Sequence, residues 1–94
     1  MRVHVEFLGL SRLVTEKKEI ALDVEKGTTF RGIVRMLGTT YPELIGNVIQ
    51  PDGETLQAPN VFNLGARRMI QAGQMDNGLS DGDRIILMSM SAGG

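Results

Sequence analysis

The chain has 94 residues, 41% of them hydrophobic, with ten basic and eleven acidic side chains and a formal net charge of −1, which fits one small soluble domain around a single core and gives no basic excess for nucleic acid and no charge block of a disordered tail. With no cysteine and one histidine, His4, disulfides, thiolate metal sites and internal thioester chemistry are excluded, and a His-based metal site or triad has almost nothing to draw on. No apolar run approaches the ~20 residues of a membrane span, and Met1-Arg2-Val3-His4-Val5 has no signal-peptide pattern, so a cytoplasmic protein without a membrane partner is expected.

The first stretch, Arg2 to Phe7, alternates strictly. Val3, Val5 and Phe7 point one way and Arg2, His4 and Glu6 the other, the pattern of a half-buried strand with His4 on its solvent face. Gly9 breaks it. Leu10, Leu13 and Val14 then recur at helical spacing and predict a short helical turn. Ile20, Leu22 and Val24 alternate with polar or small neighbours and predict a second strand, antiparallel to the first. Thr29 is placed to cap the next element, its hydroxyl accepting from a free amide of the first helical turn. Phe30, Ile33, Val34, Leu37 and Tyr41 follow as an amphipathic stripe, with Arg31 and Arg35 off it, and Pro42 ends the helix.

Residues 43–60 read as a loop or weak hairpin, with Pro51-Asp52-Gly53 as a turn and Val48-Ile49 as a short strand at most. Val61-Phe62-Asn63-Leu64 predicts a further strand, and Gly65-Ala66-Arg67-Arg68 a solvated turn into Met69-Ile70-Gln71. Asp76-Asn77-Gly78 and Ser80-Asp81-Gly82-Asp83 are turn chemistry, with Leu79 between them as a buried plug; the second lacks the acidic spacing and terminal glutamate of a calcium loop. Arg84 to Met90 is the last strand.

The predicted class is therefore α+β, with one main helix on one face of a mixed sheet of four to five strands and the first and last strands adjacent in the centre. The expected core is Val3, Val5, Phe7, Leu22, Phe30, Ile33, Val34, Leu37, Phe62, Leu64, Leu79, Ile85 and Leu87. If Ile85 and Leu87 face the helix, Ile86, Met88 and Met90 face the other way. An open sheet face normally carries polar residues, so these are the expected partner-binding residues unless the 45–60 loop folds over them. Beyond them only Ser91 and Ala92 separate the strand from Gly93 and Gly94. Glycine can enter a narrow channel in any backbone conformation, and a terminal carboxylate is anionic at neutral pH and unreactive until activated. Such an end suits a handle for another enzyme.

Three stretches carry a resemblance. Phe7-Leu8-Gly9-Leu10-Ser11-Arg12-Leu13 is similar to a Phe-x-x-x-x-Arg-x-Leu run. Gly27-Thr28-Thr29-Phe30 with Ile33-Val34, Leu37 and Tyr41-Pro42-Glu43-Leu44 is similar to a Gly-x-Thr-Val…Leu-Leu…Leu…Tyr-Pro-x-Leu helix. Leu79-Ser80-Asp81-Gly82-Asp83 with Ala92-Gly93-Gly94 is similar to a Leu-x-Asp-Gly-Asp…Gly-Gly ending. In this order they resemble the MoaD/ThiS sulfur-carrier family of ubiquitin-like β-grasp proteins, more on the MoaD side. Met88-Ser89-Met90-Ser91 departs from the prolines usual before the MoaD tail, and residues 45–60 look like an insertion.

The resemblance implies a single β-grasp domain over 1–94 with a flexible tail at 91–94. It implies a carrier and co-substrate rather than an enzyme, the small subunit of a molybdopterin synthase whose catalytic residues lie on the large subunit. Gly94, preceded by Gly93, would be adenylated by a ubiquitin-activating-type enzyme using that partner's Mg·ATP. A sulfurtransferase persulfide would then convert it to a thiocarboxylate, with Ser91 and Ala92 joining Ile86, Met88 and Met90 in partner contact. No cofactor or metal would be bound by the chain itself. Sulfur delivery for thiamine or another product, conjugation to proteins through Gly94, and a plain interaction module are the alternatives.

Overall fold

The computed structural model describes residues 1–90. The expected tail, with the site residues Ser91, Ala92, Gly93 and Gly94, lies outside the described residues. The elements run β1 (Arg2–Phe7), α1 (Leu10–Thr15), β2 (Glu19–Asp23), α2 (Phe30–Thr40), a 3-10 turn (Pro42–Leu44), β3 (Asn60–Leu64), β4 (Arg68–Met69), a second 3-10 turn (Ala72–Gln74) and β5 (Arg84–Ser89). They build one five-stranded sheet in the order β2-β1-β5-β3-β4. β1 and β5 pair in parallel, Val5 beside Ile85 and Phe7 beside Leu87. β1 with β2, and β3 with β5 and β4, are antiparallel. The expected mixed sheet with its first and last strands in the centre is present.

Strand alternation decides which side chains meet α2. Val3, Val5 and Phe7 of β1, Phe62 of β3 and Ile85 and Leu87 of β5 are completely buried. Phe30, Ile33, Val34 and Leu37 of α2 bury their stripe in the same cluster. The helix starts where the capping reading puts it, the Thr29 hydroxyl accepting from the Gly32 N–H at 3.0 Å. It stops at Tyr41, whose ring meets Phe7 edge-on at 5.9 Å between centroids. Such a contact adds to the burial of both rings.

Two expectations about the core need correction. Leu22 and Leu64 are half-buried at its margin, because β2 is an edge strand and Leu64 ends β3 beside the two-residue β4. The 43–60 region, expected as loop or weak hairpin, supplies the fully buried Leu44, Val48 and Ile49. Its organiser is backbone hydrogen bonding: the Leu44 carbonyl accepts from the amides of Asn47, Val48 and Ile49 at 3.1, 2.8 and 2.9 Å. Asp52 closes the far turn, accepting from the amides of Glu54 and Thr55 at 2.8 and 3.0 Å. These bonds hold its carboxyl below the ordinary aspartate range. The segment packs against α2 where Gly38 leaves room: a Cβ there would stand 3.4 Å from Ile45 and 3.7 Å from Ile49. Val24, Ile70 and Met75 complete the core, and Leu79 is the buried plug expected between its turns.

Candidate functional site

The sheet face turned away from α2 is divided by its chemistry. Over β2 and β1 it is charged: Arg84 reaches Glu6 at 3.4 Å and also pairs with Glu19, while Arg2 pairs with Asp23 at 3.0 Å. The Arg2 guanidinium holds the Asp23 carboxyl below its usual range. His4 lies in this half, opposite Ala21 and Arg84.

Over β5, β3 and β4 the same face is apolar. Ile86 stands opposite Asn63, and Met88 opposite Val61; Asn63 in turn stands opposite Met69. Ile86, Met88, Val61 and Met69 are all half-buried, as cross-strand neighbours on one face shield one another. The side-chain oxygen of Asn63 is buried among them without a hydrogen-bond partner.

Met90 lies just past β5, 47% exposed, its N–H bonded to the Pro59 carbonyl at 2.8 Å. Ile86, Met88 and Met90 therefore sit on the open side of the sheet, as the alternation requires. The 43–60 segment does not roof them: its buried apolar residues join the helix-side core, and its last residues, Ala58, Pro59 and Asn60, border the patch beside Val61, Met69 and Met90.

Three members of this surface were absent from the expectations. Val61 follows from the alternation around Phe62, and Leu8 is the next open-face position after Phe7. Met69 becomes visible only through the β3–β4 register.

The remaining charged features brace loops. Arg31 and Arg35, off the stripe of α2, reach Asp76 at 2.8 Å and Glu54 at 2.7 Å. Arg31 holds the Asp76 carboxyl below its ordinary range. Arg67 and Arg68 lie at the β3–β4 turn, where Gly65 and Ala66 both adopt positive φ, 62° and 59°. Among the described residues no group of three His, Asp or Glu side chains converges as a metal site, and no helix is long and apolar enough to cross a membrane.

No family model and no curated relative matches the sequence. Solved structures do match. SAMP1 from Haloferax volcanii superposes over the whole of both chains with a TM-score of 0.82 at 18% identity. Urm1 from Trypanosoma brucei matches 99% of this chain and 95% of its own, with a TM-score of 0.70 at 26% identity. The fold is the ubiquitin-like β-grasp.

A third β-grasp neighbour, a putative molybdopterin converting factor subunit 1 from Pyrococcus furiosus, has a TM-score of 0.72 at 16% identity over 96% of this chain and 98% of its own. The fold expected from the three motifs is thus the one these neighbours share. In this β-grasp chain, β5 lies between β1 and β3 and is hydrogen-bonded on both edges. The strand leading toward Ser91–Gly94 is thus among the best-anchored parts of the molecule.

Proposed function

We propose that this chain is a sulfur carrier that works through the carboxylate of Gly94. The observation that carries the reading is the β-grasp sheet whose central strand β5 is followed in sequence, with only Ser91 and Ala92 between Met90 and the glycines, by Gly93-Gly94. A ubiquitin-activating-type enzyme joins the carboxylate to AMP from Mg·ATP, with loss of pyrophosphate. The acyl-adenylate is electrophilic where the carboxylate is not. The outer sulfur of a sulfurtransferase persulfide attacks it and expels AMP, and a second thiol breaks the resulting acyl disulfide to free the thiocarboxylate. The chain supplies no acid, base or nucleophile beyond that end. Its own contribution is to present the end and to dock successive enzymes.

The apolar half of the open sheet face is the docking surface of this proposal, with Ser91 and Ala92 entering the partner behind Gly93 and Gly94. Methionine suits such a surface because it is unbranched and adapts to different partners. Burying one methionine side chain is worth roughly 1.5–3 kcal/mol, and about 1.4 kcal/mol is a tenfold change in affinity. Met88→Asp should therefore weaken binding of the adenylating enzyme at least about tenfold while the domain stays folded. Met90→Asp, at a more exposed position, provides a check with less effect on packing. Affinity unchanged in both variants, measured by calorimetry, would remove this face from the interface.

Within sulfur transfer, the proposed destination is molybdopterin. The motif resemblance and the likeness to a putative molybdopterin converting factor subunit support it. Thiocarboxylated chain mixed with the large subunit of molybdopterin synthase and its cyclic pyranopterin substrate should yield the dithiolene product. Sulfur accepted only by a thiazole synthase would move the chain to thiamine synthesis. A second reading, conjugation to target lysines through Gly94, is favoured by the likeness to small archaeal modifier protein 1. It would be read as isopeptide-linked species in native extract.

A further inference from the structure

Helix α1 is amphipathic in an inverted sense. Its two buried side chains are hydroxyls. Ser11 is completely buried and its Oγ donates toward the carbonyls of Leu8 and Leu87, both at 3.1 Å. Thr15 is buried one turn later and donates to the Ser11 carbonyl at 2.8 Å. The Glu16 N–H closes the helix on the Arg12 carbonyl at 2.9 Å, with Glu16 itself at a left-handed φ of 60°. These hydroxyl hydrogen bonds, with the half-buried Val14 packed against the core, seat this helix beside β5.

Its leucines face outward instead. Leu10 is 41% exposed and Leu13 76%. A short surface helix ordinarily turns its apolar side to the core, so two leucines left exposed on a helix seated by Ser11, Val14 and Thr15 form a surface that the core leaves uncovered. Arg12, Lys17 and Lys18 surround them, and together they line an open hollow of about 730 Å³ in which Glu16 is the single carboxylate. Arg2, Arg31, Arg35 and Arg84 are engaged in ion pairs, but none of the described pairs involves Arg12, Lys17 or Lys18. A chain with net charge −1 thus concentrates cations around its most exposed leucine. Leu8, whose N–H bonds to the Leu87 carbonyl at 3.0 Å, joins this surface to the apolar strip at Met88.

We propose that Leu10 and Leu13, ringed by Arg12, Lys17 and Lys18, form a docking site for a partner protein segment that bears apolar side chains flanked by carboxylates. Charge complementarity selects the acidic flanks, and the paired leucines call for an apolar anchor. A lipid surface fits less well, because helices that lie in a bilayer interface bring a longer apolar face than this one-and-a-half-turn element can offer. The site adjoins the open sheet face but depends on no sulfur chemistry, so it stands or falls apart from the carrier reading.

The test uses the full chain, isotope-labelled for NMR, and three probes. One is a synthetic helical peptide of about a dozen residues with two leucines one turn apart and aspartate or glutamate on either side, a common helix-in-groove format. The second carries lysine at the acidic positions, and the third is a phosphatidylserine-containing vesicle. The acidic peptide should shift amides of residues 9–18 and the basic peptide should not. Leu13→Ser should weaken the acidic peptide at least about tenfold, a difference that one anchor side chain can supply, without changing the melting temperature of so exposed a site. Lys17→Glu with Lys18→Glu should do the same and gain affinity for the basic peptide. Equal response to both peptides, shifts centred on Val61, Ile86 and Met88, affinity indifferent to Leu13→Ser, binding to vesicles alone, or no binding at about millimolar peptide would each overturn the proposal.

Discussion

Leu37→Ala should lower the unfolding free energy by about 2–5 kcal/mol, whereas removal of residues 91–94 should leave it nearly unchanged. Leu37 is completely buried in the cluster that joins α2 to the sheet. Truncating such a leucine loses its transfer free energy and leaves a cavity that the neighbours fill only in part. Ile33→Ala should behave alike for the same reason. Ile49→Ala extends the test to the 43–60 segment, because Ile49 is equally buried and should cost a similar amount if that segment is part of the core. Ser91, Ala92, Gly93 and Gly94 bring almost no apolar surface by composition. Denaturant unfolding of the variants and of the truncated chain provides the comparison. A truncation that costs as much as Leu37→Ala, or an Ile49→Ala that costs nothing, would contradict this division between framework and functional end.

The parts of the fold legible in the sequence are those where one periodicity governs a whole element. β1 reads from Val3, Val5 and Phe7, α2 from its stripe and the Thr29 cap, and β5 from Ile85 and Leu87. Val3, Val5, Phe7, Phe30, Ile33, Val34, Leu37, Ile85 and Leu87 are buried where that periodicity puts them, with Tyr41 half-buried at the end of the stripe. Residues 43–60 were opaque because Leu44, Val48 and Ile49 share no period. They are brought together by three amides converging on the Leu44 carbonyl, an arrangement that no hydropathy pattern encodes.

The spacing of Leu10, Leu13 and Val14 correctly signals α1 but not its buried face. Hydropathy has no way to mark Ser11 and Thr15 as the inward residues, since their burial rests on hydroxyl hydrogen bonds to β5 and to the helix itself.

The candidate site divides in the same manner. That Ile86 and Met88 face away from the helix follows from alternation within one strand. That Val61 and Met69 lie beside them depends on pairing between strands distant in sequence. The division of the open face into a charged and an apolar half is a consequence of strand order: β2 and β1, with Glu19 and Glu6, lie on one side of β5, and β3 and β4 on the other. The sequence supplies the residues of each half, but only the β2-β1-β5-β3-β4 order sorts them.

The most direct measurement of the carrier proposal is the intact mass of the chain after reaction. Full-length protein and a Gly94 deletion are each incubated with Mg·ATP, the cognate adenylating enzyme and a sulfur donor. The full-length chain should gain the mass difference between sulfur and oxygen at its last residue. The deletion should gain nothing, although its sheet and docking face are intact. The central claim is that β5 serves to hold out one reacting carboxylate, on Gly94, and that no other group on the chain is modified. Equal modification of both proteins, or of neither in the presence of an adenylating enzyme that binds the chain, would contradict it.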